Sequence, residues 1–436
     1  MEVKIISKEV VKPSSPTPDI YKFSLLDQSN PPTLYPIILY FLPEADSGLT
    51  QKINILKESL SQNLTRFYPF AGRVKDRHSV DCKDGGIPFS IAEVRGNLED
   101  FLIKPNLKMT MKLLQNDNSR QEQKPGDHVC EIQVNRFECG GLAVSVVISH
   151  CVADAVTLCT FLRSWAAAAR STGEEISPDF NIGKNVFPPL DVMDRETMLF
   201  PSDMSPYLRL TKYVTKRYVF DTSIIAKLKE RARSGSSVLP SSVVAVSAFI
   251  WKVYMNLFTE KSDLEKPFTQ MQVVNLRRTA VPALPDESFG NMYWLTAAQC
   301  TSPADSNLED LAGEVKRAIK KIDSGFVQAL MDGGYHQKLE ETKKGFPRGS
   351  HLMGISSWCR FGWYDIDFGW GKPVWISLSV CGDSETVAAN GATFMDTRFN
   401  DGIEAWMTLA QDYVASFEEN EDIKNYVLID PPVPCR

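Results

Sequence analysis

Apolar and polar positions follow two different periods along the 436-residue chain, and the changes of period mark its elements. Residues 35–42 form one continuous apolar run of strand length. From residue 49 onward Ile53, Leu56, Leu60 and Leu64 recur at helical spacing, which predicts a helix with one face on a core until Tyr68-Pro69 ends it. Cys130, Ile132 and Val134 alternate with Glu131, Gln133 and Asn135, the signature of a half-buried strand. Residues 142–149 are an apolar, β-branched run behind two glycines. From about Ala153 the composition turns to helix formers, with Val156, Phe161, Leu162 and Trp165 as the apolar positions. His150 and Asp154 fall at the join between that strand and that helix.

Further along, residues 213–220 read as a strand, and Asp221 is a good N-cap for a helix carrying Ile224, Ile225 and Leu228. A second helix is predicted from near Pro240-Ser241-Ser242 through Phe249 and Trp251, then a strand over 272–276 and a proline-rich loop to Gly290-Asn291. Leu308, Leu311, Val315, Ile319 and Ile322 predict an amphipathic helix. Residues 335–353 are polar and aperiodic, which predicts a mobile surface loop. Val374, Ile376, Leu378 and Val380 alternate with Trp375, Ser377 and Ser379 in a predicted strand, and a last helix is expected from near Ile403 to just before Asn420.

No internal repeat interrupts this alternation, so the fold class expected is α/β, with mixed sheets and flanking helices. The length exceeds what one hydrophobic core usually supports. Residues 12–18 (K-P-S-S-P-T-P) are an extended lead-in. Between residues 176 and 206 periodicity disappears while Pro178, Pro188, Pro189, Pro201 and Pro206 accumulate, which places a crossover between two domains. The expected division is 1–195, a connector at 196–212, and 213–436.

Composition narrows the function. Hydrophobic residues make up 43% and charged residues 23%, as in an ordinary globular protein, and a net charge of -6 without any basic stripe argues against a nucleic-acid partner. No apolar run approaches the ~20 residues that span a bilayer, and the first 18 residues lack a signal core, so the expected location is the cytosol with no membrane partner. The nine cysteines, at 82, 130, 139, 151, 159, 300, 359, 381 and 435, contain no C-x-x-C and are expected as free thiols. His78, His128, His150, His336 and His351 form no ligand cluster, so no metal is expected, and no glycine-rich phosphate loop is present.

A side chain at a strand end is held by a rigid sheet and opens onto a cleft, which makes His150 the candidate general base. Asp154 on a regular helix would share a face with His150 and orient its ring as a triad acid does, or it is a structural residue. Cys151 beside the base raises a nucleophilic thiol, against the ordinary reading of a packed one.

H-C-V-A-D at 150–154, D-F-G-W-G at 367–371, Y-P-F-A-G-R at 68–73, N-L-R at 275–277 and F-G-N at 289–291 occur together in the order seen in plant BAHD acyltransferases, which the chain resembles over essentially its whole length. H-x-x-x-D alone is weak, but the complete D-F-G-W-G behind it is highly specific. The lead-in P-S-S-P-T-P, S-L-L-D-Q at 24–28, F-E-C-G-G at 137–141 and S-S-W-C-R at 356–360 look most like the group containing vinorine synthase and salutaridinol acetyltransferase. Most members carry Gly after the Asp of H-x-x-x-D. Here Ala155 stands there, which slightly reshapes the wall beside His150.

The resemblance implies two chloramphenicol-acetyltransferase-like domains with His150 at their interface, in a channel that takes acetyl-CoA as co-substrate from one side and a small hydrophobic alcohol from the other. It implies no bound cofactor, and a monomer is expected. It further implies that Asp154 turns away from His150 to pair with Arg277, and that Asp367, Gly369 and Gly371 support the site structurally. Ser356 and Trp358 become the candidate oxyanion donors, and Ser241 and Ser242, at a helix start, candidate contacts for CoA. Members that use malonyl-CoA typically show Y-F-G-N-C where this chain has Ser288 to Met292, so acetyl is the expected acyl group. Two other functions stay open: a non-catalytic binder of a hydrophobic metabolite, and a CoA thioester hydrolase using the same base.

Overall fold

Leu142–Ser149 is a strand whose eight residues are all buried, so it requires paired neighbours at both edges and cover on both faces. The computed structural model, which describes residues 2–44, 48–83, 85–115, 122–173, 175–192, 209–233, 238–258, 265–301, 306–378 and 385–435, provides both. Cys130–Phe137 pairs with it antiparallel on one side and Leu34–Phe41 on the other. Ile87–Arg95 and the edge strand Glu2–Val11 continue the sheet beyond Cys130–Phe137. The sixth strand, Trp375–Leu378, pairs with Leu34–Phe41 at the other edge, with Trp375 opposite Tyr40.

One face of this sheet is covered by the helices Leu49–Arg66 and Ala155–Arg170, which bury Leu56, Leu60, Phe161 and Trp165. Hydrogen bonds fix their mutual register: the Trp165 indole N–H reaches Leu56 O at 3.1 Å, and Ser164 Oγ donates to Asn63 Oδ1 at 2.7 Å. Buried donors and acceptors are thereby satisfied inside an apolar layer.

Among the described residues the second sheet has eight strands, in the order Tyr293–Cys300, Phe268–Asn275, His351–Ser357, Asn390–Asp396, Gly402–Ala410, Arg209–Asp221 and Glu385–Ala388, with Leu428–Ile429 also pairing Arg209–Asp221. Thr222–Arg231, capped by Asp221, with Ser242–Met255 and Leu308–Lys320, covers it. Trp375 joins the two sheets, stacking on Tyr40 at 5.1 Å and on Trp406 at 5.6 Å between ring centres. Among the described residues no helix is long and apolar enough to cross a membrane.

Three departures from the sequence reading have physical causes. Residues 402–410 form a strand, and the last helix of the expected span begins only at Gln411–Glu419. A short apolar run has no periodicity that separates strand from helix, and here ladders with Asn390–Asp396 and Arg209–Asp221 decide the matter. The expected loop at 335–353 contains the helix Tyr335–Lys343 and the start of the strand His351–Ser357. Only Tyr335 and Leu339 of that helix are buried, one turn apart, while Lys338–Glu341 and Lys343–Glu340 pairs lace its polar face. Glu2–Val11 is a strand in a segment with no strand expectation: only Val11 of it is buried, so no alternation of core positions marks it and the ladder with Ile87–Arg95 decides the matter.

The strand expected over 374–380 is Trp375–Leu378, its last two positions lying outside the described residues. So do residues 193–208, which hold Pro201, Pro206 and most of the expected connector. The described part of the proline-rich stretch contains a short helix, Phe180–Val186, and the next strand begins at Arg209.

Candidate active site

His150 stands in the turn that leaves the buried strand Leu142–Ser149, its backbone N–H fixed to Thr33 O at 2.8 Å. The helix that follows starts only at Ala155, with Asp154 as its N-cap: Asp154 Oδ1 accepts from Thr157 N at 2.9 Å. Asp154 is thus not one helical turn along from His150, and its carboxylate points elsewhere. Arg277 Nη1 donates to Asp154 Oδ2 at 2.6 Å and Nη2 to Oδ1 at 3.2 Å, while Met292 N donates to Oδ2 at 3.0 Å. Arg277 is fully buried and spends Nη2 further on Ser288 O and Gly290 O.

Burial alone would raise the Asp154 carboxyl, but the Arg277 guanidinium and the N–H donors more than offset it and hold the group below the usual carboxylate range. The stability this contributes is present above the unfolded value, about 3.9, and is lost only as pH falls through the depressed folded one. At neutral pH the pair is intact.

The partner of the His150 ring is Asn291, whose Oδ1 lies 3.1 Å from Nδ1. Asn291 Nδ2 donates to Asp27 Oδ1 at 3.0 Å and to His150 O at 2.8 Å. An amide nitrogen facing two acceptors leaves its oxygen for the ring, so Nδ1 carries the proton by network assignment and Nε2 has a lone pair. Tyr35 and Tyr293 meet the ring edge to face at 4.6 and 5.7 Å between centres. Burial lowers the His150 pKa, against weaker opposing effects of its own backbone, the Asp154 charge and Asn291. The imidazole is neutral at pH 7.

His150 opens onto a cavity of about 450 Å³, walled mostly by apolar side chains from both sheets, among them Met271, Val273, Ile355, Leu378 and Trp406. Among the described residues that line it there is no Lys or Arg. Ser356 and Trp358 both line it, on and just beyond the strand His351–Ser357. Trp358 is half-buried, stacks on Trp363 at 5.5 Å, and its backbone N–H is tied to Phe394 O at 2.8 Å. Ala155 is part of the same wall.

The other sequence candidates lie outside this lining. Ser241 caps the helix Ser242–Met255, its Oγ accepting from Val244 N at 3.2 Å. Asp367 Oδ1 accepts from Gly369 N at 2.8 Å and Gly371 N at 3.0 Å, closing a loop in which both glycines have φ near +100°, a conformation side chains resist. That loop presses Phe368 and Trp370 onto Phe41, and Phe368 onto Trp165. Arg170 donates to Asp367 O. D-F-G-W-G therefore clamps the helix that follows the His150 turn and the strand Leu34–Phe41, which pairs with the strand that precedes the turn. The Cys151 thiol is pushed up to about 12 by burial and lies 3.0 Å from Ser149 Oγ, which removes it as a nucleophile at neutral pH. The eight described cysteines are free, and Cys381 lies outside the described residues.

The model of the Transferase family matches residues 1–423. Epi-neemfruitin B 7-O-acetyltransferase of Melia azedarach is 35% identical, with 99% of each chain covered. The chain belongs to the plant BAHD acyltransferases. Stemmadenine O-acetyltransferase of Catharanthus roseus, another relative, is 35% identical over 94% of this chain and 95% of that one. The crystal structure of vinorine synthase superposes with a TM-score of 0.82 at 32% identity, covering 98% of both chains. The BAHD architecture of two sheet-containing domains with flanking helices, expected from the motifs, is the one found. As a BAHD enzyme the chain is a CoA-dependent acyltransferase acting on a plant specialised metabolite.

Within the site, the sequence motifs include Asn291 but assign it no role. Its signal is faint: one amide between Phe289 and the apolar Met292, Tyr293 and Trp294.

Proposed function

We propose that this BAHD enzyme is an O-acetyltransferase that moves the acetyl group of acetyl-CoA onto a hydroxyl of a polycyclic, largely apolar metabolite of the alkaloid or terpenoid kind, with His150 as general base. The observation that carries the reading is His150 at an apolar cavity with Asn291 Oδ1 3.1 Å from its Nδ1, an arrangement that leaves Nε2 to act as the base. Nε2 takes the hydroxyl proton as the oxygen attacks the thioester carbonyl. The C–O bond forms, and the carbonyl electron pair moves onto oxygen as a tetrahedral oxyanion. Ser356 Oγ and the Trp358 indole N–H are its proposed donors. When the electron pair returns, the C–S bond breaks, and the imidazolium gives its proton to the CoA thiolate. Ester and free CoA leave, with no acyl-enzyme.

Each half contributes to this scheme. His150 and Asp154 come from 1–195, and Arg277, Asn291, Ser356 and Trp358 from 213–436, so a monomer suffices. The relatives' names support transfer of acetyl to oxygen. Incubation with acetyl-CoA and a panel of polycyclic alcohols, read by mass spectrometry, is expected to yield O-acetyl products. Absence of any ester across alkaloid and terpenoid alcohols, or steady CoA release without ester, would defeat the reading.

Acetyl is expected to win over charged and aromatic acyl groups. A malonyl carboxylate needs a placed cation when it leaves water, and no described lining residue supplies one. With equimolar acetyl-, malonyl- and coumaroyl-CoA at limiting acceptor, initial product should be mainly acetyl ester. More malonyl or coumaroyl ester than acetyl overturns the donor assignment while leaving acyl transfer standing.

The pH profile carries a second check. Because burial lowers the His150 pKa from 6.5, the acid limb of kcat/KM should have its midpoint below that value, with a plateau above it. A midpoint above 7 contradicts a buried neutral base.

A further inference from the structure

S-L-L-D-Q at 24–28 has found no use in the chemistry so far, and F-G-N at 289–291 only through Asn291. The fold brings them into contact across 264 residues. Asp27, with no exposed surface, sits in the short helix Leu25–Gln28, and its Oδ1 accepts both hydrogen bonds that Asn291 directs at it, from the backbone N at 2.7 Å and from Nδ2 at 3.0 Å. Its Oδ2 accepts from Ser24 N at 3.0 Å and Ser24 Oγ at 2.8 Å, with the Tyr21 hydroxyl at 3.4 Å.

We propose that Asp27 is a positioning residue for acyl transfer: acting through Asn291, it fixes the tautomer in which His150 is protonated on Nδ1 and offers a bare Nε2 to the cavity. The argument has three steps. An ionised carboxylate only accepts, so the nitrogen end of the Asn291 amide must face Asp27. The second Nδ2 hydrogen goes to His150 O, 2.8 Å away, which also only accepts. The oxygen end is then left for His150 Nδ1 at 3.1 Å, and an oxygen there demands N–H on the ring.

The chain is built for this contact. Gly290 has φ +112°, and a Cβ there would stand 2.9 Å from Asp27 Oδ1, so a side chain at 290 would push the carboxylate off Asn291. Burial pushes the Asp27 carboxyl up to about 6, with the Asn291 and Ser24 donors pulling the other way, which leaves it ionised at neutral pH. Its charge also favours the imidazolium that forms when Nε2 takes a proton.

An amide of the same shape undoes the logic. In Asp27→Asn, one end of the side chain accepts and the other donates, yet N–H groups approach from both Asn291 and Ser24. When the donor end turns to Asn291, the Asn291 amide flips and gives up its hydrogen bond to His150 O; its nitrogen then faces His150 Nδ1, and the ring proton moves to Nε2.

The proposal rests on His150 as the base, but its readout does not. Protein labelled with ¹⁵N in histidine distinguishes protonated from bare ring nitrogens at pH 8, and the His150 signals are those lost in His150→Ala. Wild type should show Nδ1–H. Asp27→Asn should gain Nε2–H and lose about 10²-fold in kcat, with KM within about twofold. Ser24→Ala, which strips a hydroxyl from Oδ2 but leaves Oδ1 on Asn291, should keep the wild-type tautomer. Wild type protonated on Nε2, a folded Asp27→Asn that keeps Nδ1–H, or Ser24→Ala shifting like Asp27→Asn each overturn the proposal. Should Asp27→Asn not fold, Asp27→Ser removes the same carboxylate with less bulk and is held to the same readout. Turnover surviving in His150→Ala would instead remove the base and leave the tautomer result to stand alone.

Discussion

His150→Ala is expected to lower kcat by about 10²–10⁴-fold, the usual worth of a general base, while CoA affinity and melting temperature stay near wild type. The ring makes one hydrogen bond, to Asn291, and two edge contacts, to Tyr35 and Tyr293, so its removal leaves a small gap beside a cavity that already exists. The backbone that positions it is held independently, by His150 N on Thr33 O and by Asn291 Nδ2 on His150 O. Steady-state kinetics at saturating substrates, with calorimetric titration of CoA, tests both halves of the expectation. More than a tenth of wild-type turnover in the variant removes His150 from the chemistry.

The second large effect belongs to Asp154, and it has the opposite profile. Asp154→Ala is expected to lose stability and activity together. Arg277 is fully buried, so deleting its carboxylate strands a guanidinium with carbonyl and hydroxyl partners only, at a cost of roughly 3–5 kcal/mol. The same deletion removes the N-cap of Ala155–Arg170 and the acceptor of Met292 N, one residue from Asn291. Thermal unfolding should therefore begin several degrees lower. A double-mutant cycle with Arg277→Ala should show strong coupling, because the second change removes the charge that the first leaves unpaired; strict additivity rejects the pair.

How far the sequence discloses such a site depends on how far its partners lie along the chain. The strand, turn and helix around His150 are legible because 142–149 is apolar throughout and the helix behind it has apolar residues at the right spacing. The contact of Asp154 with Arg277 spans 123 residues, and only the family resemblance of H-x-x-x-D and N-L-R points to it. Asp27 and Asn291 are farther apart still, and neither looks unusual locally: one stands in S-L-L-D-Q, noticed only for its family resemblance, the other at the end of a proline-rich loop. The Gly402–Ala410 strand is misread for the same reason in another guise, since its identity is set by two partner strands and not by its own period. Ser241 shows the converse, a hydroxyl whose local role as a cap is plain while any role in binding is not written in its neighbourhood.

The strand Trp375–Leu378 comes from the later half of the chain yet hydrogen-bonds into the first sheet, with D-F-G-W-G just ahead of it gripping Phe41 and Trp165. Anyone recombining halves of related acyltransferases to mix donor and acceptor preferences thus cannot cut once, at the connector. A single crossover there would seat one parent's strand and clamp in the other parent's sheet, where Trp375 must fit Tyr40 on one side and Trp406 on the other. Working chimaeras should be those that move residues 363–378 together with the N-terminal half, as a three-piece exchange.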